Sequence, residues 1–86
     1  MNYRVLIDPR AAKQLESLPK AVIERLDKAI VDLAGTPRPA GTKRLRGKLH
    51  EGWRVRVGQY RILYKIDDDA HEVSIFEIGH RREVYR

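Results

Sequence analysis

The sequence predicts an α+β domain: a two-helix antiparallel hairpin packed on a mostly antiparallel four-stranded sheet, in the order β-α-α-β-β-β. Three observations predict it. Apolar residues recur every three to four positions between Ala12 and Leu33, the period of helices with one buried face. From Trp53 to Ile66 they alternate instead with basic residues, the period of half-buried strands. A Gly58-Gln59 pair interrupts that alternation, as a tight hairpin turn does. A chain of 86 residues has room for one domain, residues 1–86, and one core.

The elements run in order along the chain. "YRVLI" (residues 3–7) is rich in β-branched and aromatic residues and reads as a first strand, with Tyr3, Val5 and Ile7 on one side. Asp8-Pro9 is an N-cap followed by a first helical residue, and Ala12, Leu15 and Leu18 mark a short helix running up to Pro19. Pro19 opens a second helix whose stripe is Val22, Ile23, Leu26, Ile30 and Leu33. Glu24 and Lys28 sit one turn apart on its outer side, and Gly35 supplies the stop. Residues 36–52, "TPRPAGTKRLRGKLHEG", have no sustained period and read as a basic loop with a short extended piece near residues 44–46. Strands are expected at 53–57, 60–66 and about 72–78, with Asp67-Asp68-Asp69-Ala70 as the turn between the last two. "GHRREVYR" is expected to leave the last strand as a polar tail.

If Gly58-Gln59 forms a two-residue turn, the hairpin register follows from it; a longer loop would change the register, but Arg54 and Arg56 would still share a side. Val57 then opposes Tyr60, Arg56 opposes Arg61, Val55 opposes Ile62, Arg54 opposes Leu63 and Trp53 opposes Tyr64. Opposed residues share a face. Trp53, Val55, Val57, Tyr60, Ile62, Tyr64 and Ile66 therefore lie under the helices, while Arg54, Arg56, Arg61 and Lys65 gather on the other side. Like charges directly opposite one another are unfavourable. Two readings answer this: a solvated face relieved by an acidic neighbour such as Glu77, or an anion site built from guanidinium forks.

The charge distribution favours the second. The net charge is +6. Both ends of the chain are nearly balanced, whereas residues 36–61 hold Arg38, Lys43, Arg44, Arg46, Lys48, Arg54, Arg56 and Arg61 against the single carboxylate Glu51. Such a concentration implies an acidic partner, nucleic acid first among them. The absence of cysteine excludes disulfides and thiolate metal sites and accords with a cytoplasmic location. No apolar run is long enough for a membrane span, and the opening residues do not read as a signal peptide. His50, His71 and His80 have no ligand spacing, and the aspartate triplet lacks the spaced ligands of a calcium loop, so no metal is expected.

"KRLRGKLHEGWRVRVGQYRILYKIDDD", followed by "IFEIGHRREVYR", resembles the RelE/ParE superfamily of bacterial and archaeal toxins, on its RelE side. The resemblance extends over nearly the whole chain, and its most specific pieces are "LRG", "YRILY" and the terminal "GHRREVY". It implies a RelE-like fold and the toxin of a type II toxin–antitoxin system. The implied activity is that of a ribosome-dependent endoribonuclease cutting messenger RNA in the A site. That chemistry needs no metal or cofactor: a ribose 2′-oxygen attacks the adjacent phosphate, leaving a 2′,3′-cyclic phosphate and a 5′-hydroxyl. Matched motif by motif, the implied catalytic positions are Arg54 and Arg56 of "WRVR", Arg61 of "YR", Arg81 after "GH", and Tyr85 of "EVY". Arg38, Lys43, Arg44, Arg46, Lys48, Lys65 and Arg82 are the expected RNA- and ribosome-contacting set, reaching messenger and 16S ribosomal RNA. The other implied partner is a cognate antitoxin.

One departure matters. Members of the family often carry lysine in the "WRVR" strand, where one lysine is a proposed proton acceptor. Both positions are arginine here, and arginine is a poor general base. His80, an imidazole, is then the best local candidate for acid or base work, and Tyr85 an aromatic that can stack on a base or help orient the scissile group. Two rivals stand beside the nuclease: a ParE-like inhibitor of DNA gyrase, and a non-catalytic module that binds RNA or the ribosome through the same basic patch.

Overall fold

The computed structural model describes residues 2–45 and 52–80. Its elements are β1 (Arg4–Ile7), α1 (Pro9–Glu16), α2 (Lys20–Gly35), β2 (Lys43–Arg44), β3 (Trp53–Val57), β4 (Tyr60–Asp67) and β5 (Glu72–His80). The α+β class and the helix pair are as the sequence predicts. The sheet has five strands rather than four, because Lys43 and Arg44 of the basic loop pair with Arg54 and Trp53. Spatial order is β1-β5-β4-β3-β2, antiparallel except where β1 lies parallel to β5. The parallel pair is possible because α1 and α2 cross over the sheet at the start of the chain.

Local chemistry starts and stops each helix. The Asp8 carboxylate accepts from the Arg10 backbone N–H at 2.8 Å, with Pro9 in the first turn, where a missing N–H costs nothing. α2 ends differently from expectation. Gly35 is its last helical residue and does not take a left-handed φ. Thr36 turns the chain out instead, at φ −137 and ψ 84, the extended conformation that a following Pro37 imposes. Leu26, Ile30 and Leu33 form the buried stripe of α2, and Ala11 and Leu15 that of α1. They close over Val55, Ile62, Tyr64, Val73, Ile75 and Ile78 of the sheet. Each large side chain buried this way contributes about 1.5–3 kcal/mol.

Two features of β5 position the sheet face on which the arginines gather. Beyond Ile75 the strand has no strand partner on the β1 side, and α1 covers that edge. Asp8 N–H donates to the Ile75 carbonyl at 2.9 Å, and the Gln14 side-chain oxygen accepts from Ile78 N–H at 2.8 Å. The pairing of β4 with β5 also shifts register between Leu63 and Tyr64, so that Leu63 opposes Glu77 whereas Tyr64 opposes Ile75. The extra residue, Phe76, is a β-bulge that lets Ile75 and Ile78 both face the core. The strand then continues through Gly79 and His80, where the sequence predicts a departing tail.

Among the described residues, no helix is long and apolar enough to cross a membrane, and no group of side chains could hold a metal ion.

Candidate nucleic-acid interface

The β3–β4 hairpin carries the site, and its observed register is the expected one throughout. Gly58 has φ 61, and no positive φ is found at Gln59, the signature of a type II′ turn. Behind the hairpin, Gly52 packs so close to the Tyr64 backbone that any Cβ there would collide with the Tyr64 carbonyl.

On the face away from the helices, the sheet lays out three rows of side chains. Arg56 opposes Arg61, which opposes Gly79. Lys43, Arg54, Leu63 and Glu77 form the next row, and Lys65 and Ser74 the third. Gly79 has no side chain and is itself buried, so the arginine row ends on packed backbone at that side. Arg54 and Arg61 are half-buried, while Arg56 is exposed and its Nε donates to the Gly58 carbonyl at 3.2 Å. Leu63 is almost fully buried yet lies outside the helix-side core, and Lys65 Nζ stands 5.9 Å from the Phe76 ring centre. An apolar residue thus lies among the cations, which lowers the local dielectric and strengthens their field. Glu77, the one acidic side chain in the rows, makes an ion pair with Arg10 of α1 at 3.4 Å.

Other expected site residues lie elsewhere. Arg44 opposes Trp53 on the helix side, its guanidinium 5.6 Å from the Trp53 ring centre, and Arg38 stands over the same ring at 4.9 Å. Arg38 also grips Asp68 with both terminal nitrogens, at 3.3 and 2.9 Å, while Tyr3 donates its hydroxyl to the same carboxylate at 2.6 Å. These two donors hold the Asp68 carboxyl below the usual carboxylate range, the Arg38 hydrogen bond being the larger cause. Tyr64 anchors the same loop from beneath, donating to the Pro37 carbonyl at 2.8 Å, and burial raises its phenol pKa. His80 opposes Tyr60 on the helix side of the sheet, with the rings edge to face and 5.6 Å apart. The register therefore brings Arg54, Arg56, Arg61, Lys43 and Lys65 together and leaves His80, Arg38 and Arg44 on the other face. Arg46, Lys48, Arg81, Arg82 and Tyr85 lie outside the described residues.

Charge is also polarised along β4. The arginines cluster toward its Tyr60 end, and Asp67, Asp68, Asp69 and Glu72 toward the other, about 25 Å away for eight extended residues. Sequence reasoning missed Arg25. Its guanidinium rests on the β3–β4 turn, and the only signal in the sequence is its position on the polar side of α2.

Fold and face together define a class: a small α+β domain with a strongly cationic sheet surface. The model of the ParE toxin family of type II toxin–antitoxin systems matches residues 5–85. The toxin RelG of Mycobacterium tuberculosis is 36% identical, with 100% of this chain and 99% of that protein aligned. The mRNA interferase toxin RelE of Escherichia coli K12 is 32% identical over 99% of this chain and 92% of its own length. Among solved structures, the RelBE2 toxin–antitoxin complex of M. tuberculosis superposes with a TM-score of 0.83 at 32% identity, covering 94% of this chain and all (100%) of that one. The archaeal RelE–RelB complex of Pyrococcus horikoshii gives 0.82 at 30% identity, covering 94% of this chain and 97% of that one. The chain belongs to the RelE/ParE superfamily of type II toxin–antitoxin toxins, with RelE toxins among its relatives.

Proposed function

We propose that this toxin is an mRNA interferase that cleaves messenger RNA on the ribosome, in the cytoplasm, and is held inactive by a RelB-like antitoxin. The observation that carries the reading is the row Arg56–Arg61–Gly79, flanked by Arg54 and Lys43 on one sheet face. The relative named an mRNA interferase and the neighbours solved with an antitoxin support it. Guanidinium forks bind phosphate oxygens in pairs, and a rigid sheet holds them at fixed spacing. When a 2′-oxygen attacks the adjacent phosphorus, negative charge grows on the non-bridging oxygens. Arg61 and Arg56, aimed at that centre, stabilise the transition state more than the ground state. Lys43, Arg54 and Lys65 bind the flanking backbone, and their contacts carry no sequence preference.

Proton transfer divides chemistry from geometry. His80 has the suitable group, but its register sets it beside Tyr60, across the sheet from the arginine row. A general base contributes about 10²–10⁴-fold, so His80→Ala should fall by that much if His80 carries the proton. From the register we expect a loss of less than about tenfold, against at least about 100-fold for Arg61→Gln.

Primer extension on messages after induction tests the whole reading. Codon-phased cuts are expected. A second reading, gyrase inhibition, is favoured by the description of the matched family as ParE toxin, and it predicts DNA damage with intact messages. If neither appears, the module binds without cutting.

A further inference from the structure

The β3–β4 turn is gripped by arginines from both sides of the sheet. From the arginine face, Arg56 Nε donates to the Gly58 carbonyl at 3.2 Å. From the helix side, Arg25 of α2 fills the space that a Cβ at Gly58 would take, with a terminal nitrogen 2.7 Å from that position. Both side chains are exposed. Neither forms an ion pair among the described residues. Along α2 the neighbours of Arg25 one turn away are Ala21, Val22, Lys28 and Ala29, so no carboxylate answers its charge from its own helix either.

Two guanidiniums around one exposed turn repel, and a phosphate between them reverses the sign of that interaction. The turn offers little to obstruct it, since Gly58 has no side chain and Gln59 is uncharged and exposed. We propose that Arg25 and Arg56 form a phosphate-binding notch around the β3–β4 turn, which takes one phosphodiester of an RNA strand continuing off the arginine face onto α2. The notch rests on the nuclease reading and adds to it a path for the strand. RNA enters or leaves over the turn, with Lys28 next along the helix.

Anisotropy of a fluorescein-labelled single-stranded RNA, titrated with the intact toxin across a series of salt concentrations, tests it. Arg25→Gln should weaken binding by about threefold to tenfold and lower the slope of log K against log salt by about 0.7, the value for one single-strand phosphate contact. Glutamine is a good helix former at an exposed site and removes one of the two repelling charges, so the melting temperature should not fall. Arg25→Lys should restore the slope but not all the affinity, since an ammonium lacks the fork. Gly58→Asn, which tolerates the positive φ, should displace Arg25 from the turn and weaken binding with every charge retained.

Wild-type affinity and slope in Arg25→Gln, with binding lost in Arg56→Gln, overturns the notch and leaves the arginine face standing. Wild-type RNA binding in Arg25→Gln with weakened capture of a partner protein also overturns it, because the turn is then a protein contact. If Arg25→Gln, Arg56→Gln and Arg61→Gln all bind as wild type, the nuclease reading itself falls.

Discussion

Arg38 and Arg56 both come from the basic middle of the chain, and the fold treats their charges in opposite ways. Arg38 is held between the Asp68 carboxylate and the Trp53 ring, so its charge is answered within the molecule. Among the described residues, Arg56 hydrogen-bonds to a backbone carbonyl alone, beside a second arginine that approaches the same turn. A run of cations in a sequence is therefore not a measure of the charge available to a ligand. Here the hairpin leaves Arg56 exposed beside its turn, while the loop before β2 spends one of its own on its own architecture.

The largest effect that would sharpen this contrast is at Arg56. Arg56→Thr puts a good strand residue at a position opposite another cation. Relief of that repulsion should raise stability by about 0.2–1 kcal/mol in a urea melt, while cleavage falls by at least about tenfold. Improved stability with unchanged cleavage would mean that the hairpin arginines are ordinary surface charges, and the contrast with Arg38 would collapse.

The next effect turns on sign. If Arg38 contacts RNA directly, Asp68→Asn removes a competing carboxylate and should tighten RNA binding. If Arg38 positions the loop, the same change loosens the hold on residues 36–42 and on β2, which delivers Lys43 to the row of Arg54. RNA affinity then drops, by about twofold to fivefold as for a displaced contact, and the melting temperature drops with it. We expect the drop. Arg38→Gln should have the same effect, and the double variant should be no worse than either single one, because both remove one interaction. Additive losses would break the assignment.

How much of the structure is legible in the sequence depends on distance along the chain. The hairpin register is legible because a Gly-Gln turn and a two-residue alternation fix it locally. The bulge at Phe76 leaves a fainter trace: Val73 and Ile75 alternate, and the next core residue is Ile78, three positions on rather than two. Counting that break extends β5 to His80 and puts its ring beside Tyr60. β2 is only hinted at, since two residues carry no period. The partners of Arg38 and Arg25 leave no trace at all. Asp68 lies 30 residues from Arg38, and Arg25 meets a turn in another element, so only the assembled fold brings either pair together. Five of the expected site residues, Arg46, Lys48, Arg81, Arg82 and Tyr85, fall outside the described residues and take no part in the contrast.

The smallest effect is a dependence of stability on acid. Arg38 and Tyr3 both donate to the Asp68 carboxylate and favour its ionised form, so its pKa is lower folded than unfolded. A group depressed in this way contributes stability that is fully present above its unfolded pKa, near about 3.9 for an aspartate. The contribution is lost as pH falls through the lower, folded value. Asp68 is exposed, which keeps the effect small, but the comparison with Asp68→Asn isolates it. Melting temperatures of the two proteins should differ by a constant amount from neutral pH down to about pH 5 and converge below about pH 4. Convergence ties the hold on the loop to the Asp68 charge. A gap that persists once the folded Asp68 carboxyl is itself protonated would assign it to the Tyr3 and Arg38 packing around the carboxyl instead. Arg38 would then be fixed by shape, leaving its charge as available as that of Arg56.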